Sequence, residues 1–241
     1  MQNNQYNYNL KHHKTNSSNV DSGNIVSYNT DSRNIGSCNT DSFNTEHFNN
    51  NSSNIEIIFE TIDKLINNKK TVLVAIDGYC TSGKTTFADF FNKKYNCNIF
   101  HMDDFFLRPE QRTKKRLNEI GGNIDYERFN SEILLPLKTG KPFSYYPYDC
   151  HINSLGEQIN ITPSTLNIIE GSYSMHPFLS SAYDLSIFLN ISPELQEKRI
   201  LTRDVSLHKN FFEKWIPMEK RYFREYKISQ KCNFIINEIN L

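Results

Sequence analysis

The chain of 241 residues lacks an apolar run long enough to cross a membrane as a helix. Its first residues, MQNNQYNYNLKHHK, also lack the apolar core of a secretory signal. These absences argue against a membrane span and against secretion. The sequence therefore predicts a cytoplasmic protein with no membrane partner.

Cysteine is sparse, and its spacing is irregular. The five cysteines include no CxxC pair; they are Cys38, Cys80, Cys97, Cys150 and Cys232. This pattern argues against a zinc site and against a disulfide framework. We expect free thiols in a reducing compartment.

A surplus of charge of one sign is missing as well. The chain has 27 basic and 27 acidic residues, so its formal net charge is zero. A general polyanion binder needs a basic surplus on one face. We therefore expect no nucleic-acid partner.

Residues 1–53 are rich in Asn and Ser, and they contain a degenerate ten-residue repeat. Its copies are DSGNIVSYNT, DSRNIGSCNT and DSFNTEHFNN, which begin at residues 21, 31 and 41. Each copy has too few apolar side chains to offset the entropy lost on folding. We predict a disordered low-complexity tail, either an unselected polar extension or a segment whose aromatic residues bind a partner.

Residues 54–241 have the alternating pattern of an α/β domain. Apolar strands are predicted at TVLVAID (71–77), NCNIFHM (96–102), TLNIIEG (165–171), YDLSIFLNI (183–191) and NFIIN (233–237). Helical periodicity separates them, and one helix starts with Ser192 as N-cap and Pro193 at its first position. Pro217 should bend or interrupt the last long helix. We predict a central parallel sheet flanked by helices.

The segment DGYCTSGKTT follows the first strand and opens a helix. Gly78, Gly83, Lys84 and Thr85 match the phosphate-binding motif G-x-x-x-x-G-K-[ST]. Glycines let the backbone close around a phosphate, and its amide groups with the helix N-terminus attract the anion. Lys84 would contact the β- and γ-phosphates, and the Thr85 hydroxyl would ligate Mg²⁺. The predicted nucleotide contacts are Gly78, Tyr79, Cys80, Thr81, Ser82, Gly83, Lys84, Thr85 and Thr86.

The chain lacks the N-K-x-D motif with which GTPase switch proteins recognise guanine. NKKT and NKKY, which begin at residues 68 and 92, both lack the aspartate. A small-molecule kinase therefore fits the motif better. We expect ATP and Mg²⁺ as cofactors, with GTP as an alternative donor.

Three acidic residues follow predicted strands, where ligands bind in open parallel sheets. Asp103 and Asp104 follow the second strand, and Glu170 ends the third. We predict that Asp103 takes the proton of an acceptor hydroxyl. Asp104 would hold Mg²⁺ through water or cap a turn, and Glu170 would orient Mg²⁺ or its water.

Arg199 and Arg203 lie four residues apart on one predicted helix face. They would bind phosphate oxygens on a mobile lid, although such a pair also occurs on ordinary solvated faces. Asp125 is a candidate contact for ribose hydroxyls, because a carboxylate can accept from both. Tyrosines such as Tyr148 can flank a base, whereas His151 taken alone suggests a structural role.

Six motifs of this chain resemble those of the uridine kinase family, which is related to phosphoribulokinase and bacterial pantothenate kinase. In chain order, the motifs are GYCTSGKTT, HMDDFF, NIDYERF, YDCH, NIIEG and RILTR. The resemblance covers about residues 71–237. It implies phosphoryl transfer from ATP or GTP to a nucleoside 5′-hydroxyl. It further implies Asp103 as the base, Asp125 as a ribose contact, Tyr148 and His151 near the base, and Arg199 and Arg203 in the lid.

The chain departs from this family on the acceptor side. The family's Asp-His-Pro is here Asp125-Tyr126-Glu127, and the segment LRPEQRTKKRLNEIGGN before it is longer than expected. We predict a kinase of a small hydroxyl-bearing acceptor, most simply uridine or cytidine. The alternatives are a kinase of pantothenate or a sugar phosphate, with basic groups from residues 108–116, and a nucleotide-binding module without transferase activity.

Overall fold

The computed structural model describes residues 52–203 and 205–238. The predicted tail, residues 1–53, lies outside this part of the chain except for its last two residues. Those two residues begin the first helix, α1 (Ser52–Asn68).

The described residues form nine strands: β1 (Val72–Gly78), β2 (Asn98–His101), β3 (Phe143–Tyr145), β4 (Tyr148–Asp149), β5 (Ser154–Leu155), β6 (Ile159–Ile161), β7 (Leu166–Glu170), β8 (Leu185–Asn190) and β9 (Phe234–Asn237). The further α-helices are α2 (Lys84–Tyr95), α3 (Lys114–Asn118), α4 (Tyr126–Phe129), α5 (Leu135–Thr139), α6 (Pro193–Leu201), α7 (Val205–Asn210), α8 (Ile216–Tyr226) and α9 (Ile228–Lys231). Short 3₁₀ turns occupy Met102–Phe105, Pro109–Gln111 and Ser180–Ala182.

Five parallel strands form the central sheet in the order β2-β7-β1-β8-β9. All residues of β1 and β7 are buried, as expected for strands that helices cover on both faces. The structure thus confirms the predicted α/β fold and each of the five predicted strands.

Helices cover both faces of the sheet. On one face, α1 and α2 contribute a cluster that includes Ile58, Ile62 and Phe87. On the other face, the helical segment from α4 to α5 and the helix α8 bury Phe129 and Tyr222. These side chains are fully buried, so each contributes about 1.5–3 kcal/mol of hydrophobic stabilisation.

Some local structure differs from the sequence prediction. Two antiparallel pairs, β3 with β6 and β4 with β5, occupy residues 143–161. Two predicted helices contain a π-helical turn, at Asn130–Leu134 and at Phe211–Trp215. Each turn lies just before a helix with proline in its first turn. The interruption near Pro217 is therefore confirmed as a π turn that precedes it.

The sheet brings three chain segments to one edge. Ile76 of β1 pairs with Glu170 of β7, and His101 of β2 pairs with the same residue. The carboxyl ends of β1, β2 and β7 therefore meet beside residues 78–85, which we call the P-loop.

Candidate active site

The P-loop backbone requires glycine at its first position. Gly78 has φ 147°, and a Cβ there would lie 2.2 Å from the carbonyl oxygen of Leu189 on β8. Gly83 at the N-cap of α2 has φ 99°, and Thr81 between them has φ 62°. The strand β8 thus forces a close turn that only glycine can begin.

Lys84 fills the concave side of this turn. Its Nζ donates to the carbonyl oxygens of Gly78 (2.9 Å) and Tyr79 (2.8 Å). Because Lys84 and Thr85 begin α2, their backbone amides have no acceptor within the helix. The Oγ1 of Thr81, which lines the adjoining cavity, has no hydrogen-bond partner in the described part of the chain. These unused donors and the lysine suit a bound phosphate.

Thr85 and Glu170 meet at the carboxyl end of β7. The Thr85 Oγ1 donates to Glu170 Oε1 (3.1 Å), and His101 Nδ1 lies 2.6 Å from the same oxygen. Partial burial alone would lower the pKa of His101, but the hydrogen bond and the charge of Glu170 raise that pKa to about 9. The hydroxyl and carboxylate are hard oxygen donors of the kind that bind Mg²⁺.

Within the described residues, no three His, Cys, Asp or Glu side chains converge as a metal site. Mg²⁺ usually binds through one or two protein oxygens together with substrate phosphates and water. The pair of Thr85 and Glu170 fits that mode of binding, and Asp104 does not belong to the pair. The Asp104 Oδ2 instead accepts a hydrogen bond from the Tyr145 hydroxyl (3.0 Å).

Asp103 projects from the 3₁₀ turn after β2 into the same cavity as Lys84 and Thr85. Its side chain is open to that cavity, yet the surrounding protein shields it from bulk water. This desolvation, with the charge of Glu170, raises the pKa of Asp103 to about 6, and Lys84 opposes the rise. Near neutral pH the carboxylate can therefore accept a proton.

Arg199 and Arg203 of the predicted lid also line the cavity. Arg199 Nη1 donates to the carbonyl oxygen of Thr81 (2.9 Å), which ties α6 to the P-loop. The guanidinium of Arg203 lies 5.7 Å from the ring centroid of Phe211. Arg199 thus contacts the P-loop, whereas Arg203 lies beside Phe211.

The cavity has a volume of about 550 Å³. Besides the P-loop, it is lined by Asp103, Phe106, Asn123 and Tyr173. It is also lined by the apolar residues Leu207, Phe211 and Trp215, which follow α6, the predicted lid helix. One cavity therefore joins the predicted phosphate site to the predicted base and to an apolar part.

Three predicted substrate residues do not line this cavity. Asp125 is buried and caps α4: its Oδ1 accepts from the amide of Arg128, and its Oδ2 accepts from Gln111 Nε2 (2.6 Å). Tyr148 is buried with its hydroxyl 2.6 Å from Arg112 Nη2. His151 is exposed beyond β4. Their predicted contacts with the acceptor remain predictions.

Sequence reasoning missed several polar residues of the site. Asp77 is fully buried directly before the P-loop, and Glu219 from α8 lines the cavity. Asn123 also lines the cavity, and its Oδ1 is buried without a hydrogen-bond partner. The sequence could have identified Asp77, since an acidic residue at the end of a predicted buried strand is unusual. No sequence pattern could have identified Glu219, because it lies 139 residues from Cys80, its partner in the P-loop.

No family model matches the chain. A uridine kinase of Ureaplasma parvum serovar 3 is 25% identical over 194 residues, which span 73% of this chain and 93% of that protein. A uridine kinase of Shewanella frigidimarina is 26% identical over 174 residues, or 66% of this chain and 81% of that protein. The structure titled a possible uridine kinase from Bacillus stearothermophilus aligns with a TM-score of 0.55 at 18% identity, and covers 75% of this chain and 99% of that one.

The chain is a P-loop small-molecule kinase similar to uridine kinases. Its five-stranded parallel sheet matches the fold of the Bacillus stearothermophilus structure. In the described part of the kinase, every helix is too short or too polar to span a bilayer.

Proposed function

We propose that this kinase transfers the γ-phosphoryl group of ATP to the 5′-hydroxyl of uridine or cytidine. One observation carries the proposal: Lys84, Thr85 and Asp103 line a single cavity. The names of the curated relatives support a nucleoside acceptor.

The charge distribution of the cavity favours a neutral acceptor. Its basic lining residues are Lys84 of the P-loop, Arg199, which binds Thr81, and Arg203, which lies beside Phe211. The basic residues of 108–116, predicted to serve a phosphorylated acceptor, do not line it. Arg116, for example, binds the carboxylate of Glu127 through two nitrogens (2.8 and 2.7 Å). A sugar phosphate or the carboxylate of pantothenate would therefore meet no cation at the acceptor end of the described cavity.

The acceptor end has the features of a base-recognition site. Phe106 and Tyr173 supply aromatic surface, against which a planar base can pack. The unpaired amide oxygen of Asn123 can accept a hydrogen bond from an N–H or O–H of the acceptor. A buried acceptor of this kind costs free energy until a ligand satisfies it.

The chemistry follows from the positions of the charged groups. Asp103 takes the proton as the hydroxyl attacks the γ-phosphorus. Lys84 leaves the loop carbonyls to bind phosphate oxygens. Arg199 contacts the P-loop and Arg203 lines the same cavity, so both would stabilise the transferring charge. Thr85 and Glu170 would hold Mg²⁺, which neutralises the β- and γ-phosphates when bound.

The test is an assay with labelled ATP and a panel of uridine, cytidine, purine nucleosides, pantothenate and sugar phosphates. We expect phosphorylated product from a pyrimidine nucleoside alone. Asp103→Asn should lower kcat by about 10²–10⁴-fold while ATP still binds. The matched control is Asp89→Asn, on the exposed face of α2, and it should keep full activity.

Each other outcome has a distinct meaning. Product from pantothenate or a sugar phosphate would replace the proposed acceptor and keep the kinase. ATP binding without product from any acceptor would instead support a nucleotide-binding module. Full activity of Asp103→Asn would reject Asp103 as the base.

A further inference from the structure

Glu219 is a buried carboxylate that contacts the P-loop from a distant helix. It lies on α8 and is only 4% exposed. Its Oε2 accepts from the backbone amide of Cys80 (2.9 Å), and its Oε1 accepts from Ser172 Oγ (2.6 Å). The contacts of Glu219 within the described chain are thus hydrogen bonds from neutral groups.

Ser172 is the second hydrogen-bond donor to Glu219, and it also lies next to the P-loop. The hydroxyl of Ser172, in the loop after β7, also lies 3.0 Å from the carbonyl oxygen of Gly78. Ser172 has one hydroxyl hydrogen, and the shorter distance assigns it to Glu219. Glu219 therefore binds the third residue of the P-loop directly, and it holds the Ser172 hydroxyl beside the first. The carbonyl oxygen of Gly78 is also one of the two that hold Lys84 Nζ.

The hydrogen bond to Glu219 fixes the orientation of the Cys80 amide, next to the unusual backbone conformation of Thr81. Because this amide points to Glu219, it is not available to a phosphate. The next residue, Thr81, has φ 62°, which a β-branched residue adopts only when its surroundings impose it. On the opposite side, Gln196 Nε2 of α6 donates to the Cys80 carbonyl oxygen (3.1 Å). Both peptide groups of Cys80 are thus held by buried side chains.

We propose that Glu219 is a positioning residue, which fixes the turn at Cys80 so that the later P-loop amides face the donor phosphates. This inference rests on the proposed use of ATP. It concerns a residue that acts through the backbone and that does not touch the reacting atoms.

The direction in which ATP affinity changes when Glu219 is removed separates a positioning role from a purely electrostatic one. A carboxylate that lines a polyphosphate site repels the ligand, so its removal alone would strengthen ATP binding. Loss of a positioning hydrogen bond would weaken binding instead. The two roles therefore predict opposite changes for Glu219→Ala.

The experiment measures Mg-ATP binding by calorimetry for the full chain, well below each variant's unfolding temperature. We expect Glu219→Ala to raise the Kd about tenfold or more, as for loss of a hydrogen bond to a charged group. Glu219→Gln keeps an acceptor for the Cys80 amide, so its Kd should stay within about threefold of wild type. Steady-state kinetics should show a higher KM for ATP in Glu219→Ala and an unchanged KM for the acceptor.

The matched control is Glu225→Ala on the same helix, where the carboxylate is exposed and pairs with its neighbour Arg224. It should leave the Kd unchanged. If Glu219→Ala binds Mg-ATP as tightly as wild type or more tightly, the inference is wrong although the kinase assignment stands. Equal weakening by Glu219→Gln would also overturn it. Failure of the wild-type protein to bind Mg-ATP would instead count against the proposed function.

Discussion

At the scale of single residues, Asp77 is a carboxylate that four hydrogen bonds hold in place. It is the penultimate residue of β1 and is fully buried. It accepts hydrogen bonds from the amides of Gly78, Tyr173 and Met175 and from the hydroxyl of Tyr222. Asp77 thus joins the P-loop, the loop after β7 and α8, three of the elements that line the cavity.

The burial of Asp77 predicts an unusual dependence of stability on pH. Desolvation raises its pKa from 3.8 to about 6, although the hydrogen bonds from Met175 and Tyr222 oppose the rise. The folded state therefore binds a proton more tightly than the unfolded state does. The contribution of Asp77 to the free energy of unfolding should fall as pH rises from about 4 to about 6, by about 3 kcal/mol in total.

Urea unfolding of the wild type and of Asp77→Asn between pH 4 and pH 7 would measure this contribution. Asn cannot titrate, so the wild type should lose up to about 3 kcal/mol relative to the variant over that range. Asp89→Asn, at an exposed position of α2, is the control and should run parallel to the wild type. Parallel curves for Asp77→Asn as well would show that Asp77 does not titrate in this range.

At the scale of elements, the long buried strands and helices were predictable, and the short polar ones were not. The strands β1, β7 and β8 have five to seven residues and nearly continuous apolar sequence, which gives a strong signal. The strands β4 and β5 have two residues each, too few to show a period of two. They form because the chain between α5 and β7 doubles back, which local sequence does not encode.

The segment after α6, the predicted lid helix, offers a spectroscopic test of the apolar part of the cavity. Trp215, the single tryptophan of the chain, lines the cavity with Leu207 and Phe211. We expect Mg-ATP to change the tryptophan emission with saturation, because a ligand in the cavity alters the surroundings of this ring. The change should match the Kd from calorimetry and should disappear in Trp215→Phe. A calorimetric binding curve without any emission change would place the nucleotide away from this part of the cavity.

At the scale of the whole molecule, sequence motifs located the donor half of the site better than the acceptor half. The P-loop, Glu170 and Asp103 follow strands directly, so the sheet alone brings them together. The proposed acceptor half depends on side chains from irregular segments, such as Asn123, which lines the cavity. Its position follows from packing between distant parts of the chain. The sequence pattern predicted Asp125 as a contact for the acceptor. It could not show that Gln111 and Arg128 already donate hydrogen bonds to the Asp125 carboxylate.

The predicted boundary of the folded domain near residue 54 can be tested by truncation. Both buried clusters that cover the sheet consist of residues from Ile55 onward, and the residues that line the cavity begin at Cys80. A chain that starts at Ser52 should therefore keep the unfolding temperature of the full chain within about 2 °C, since less than about 1 kcal/mol is removed. It should also bind Mg-ATP with the same Kd. A chain that starts at Thr71 lacks α1, with Ile55, Ile58 and Ile62 all fully buried, and it should not fold cooperatively. A large loss of stability or of ATP binding in the first truncation would mean that the Asn-rich segment is part of the working fold.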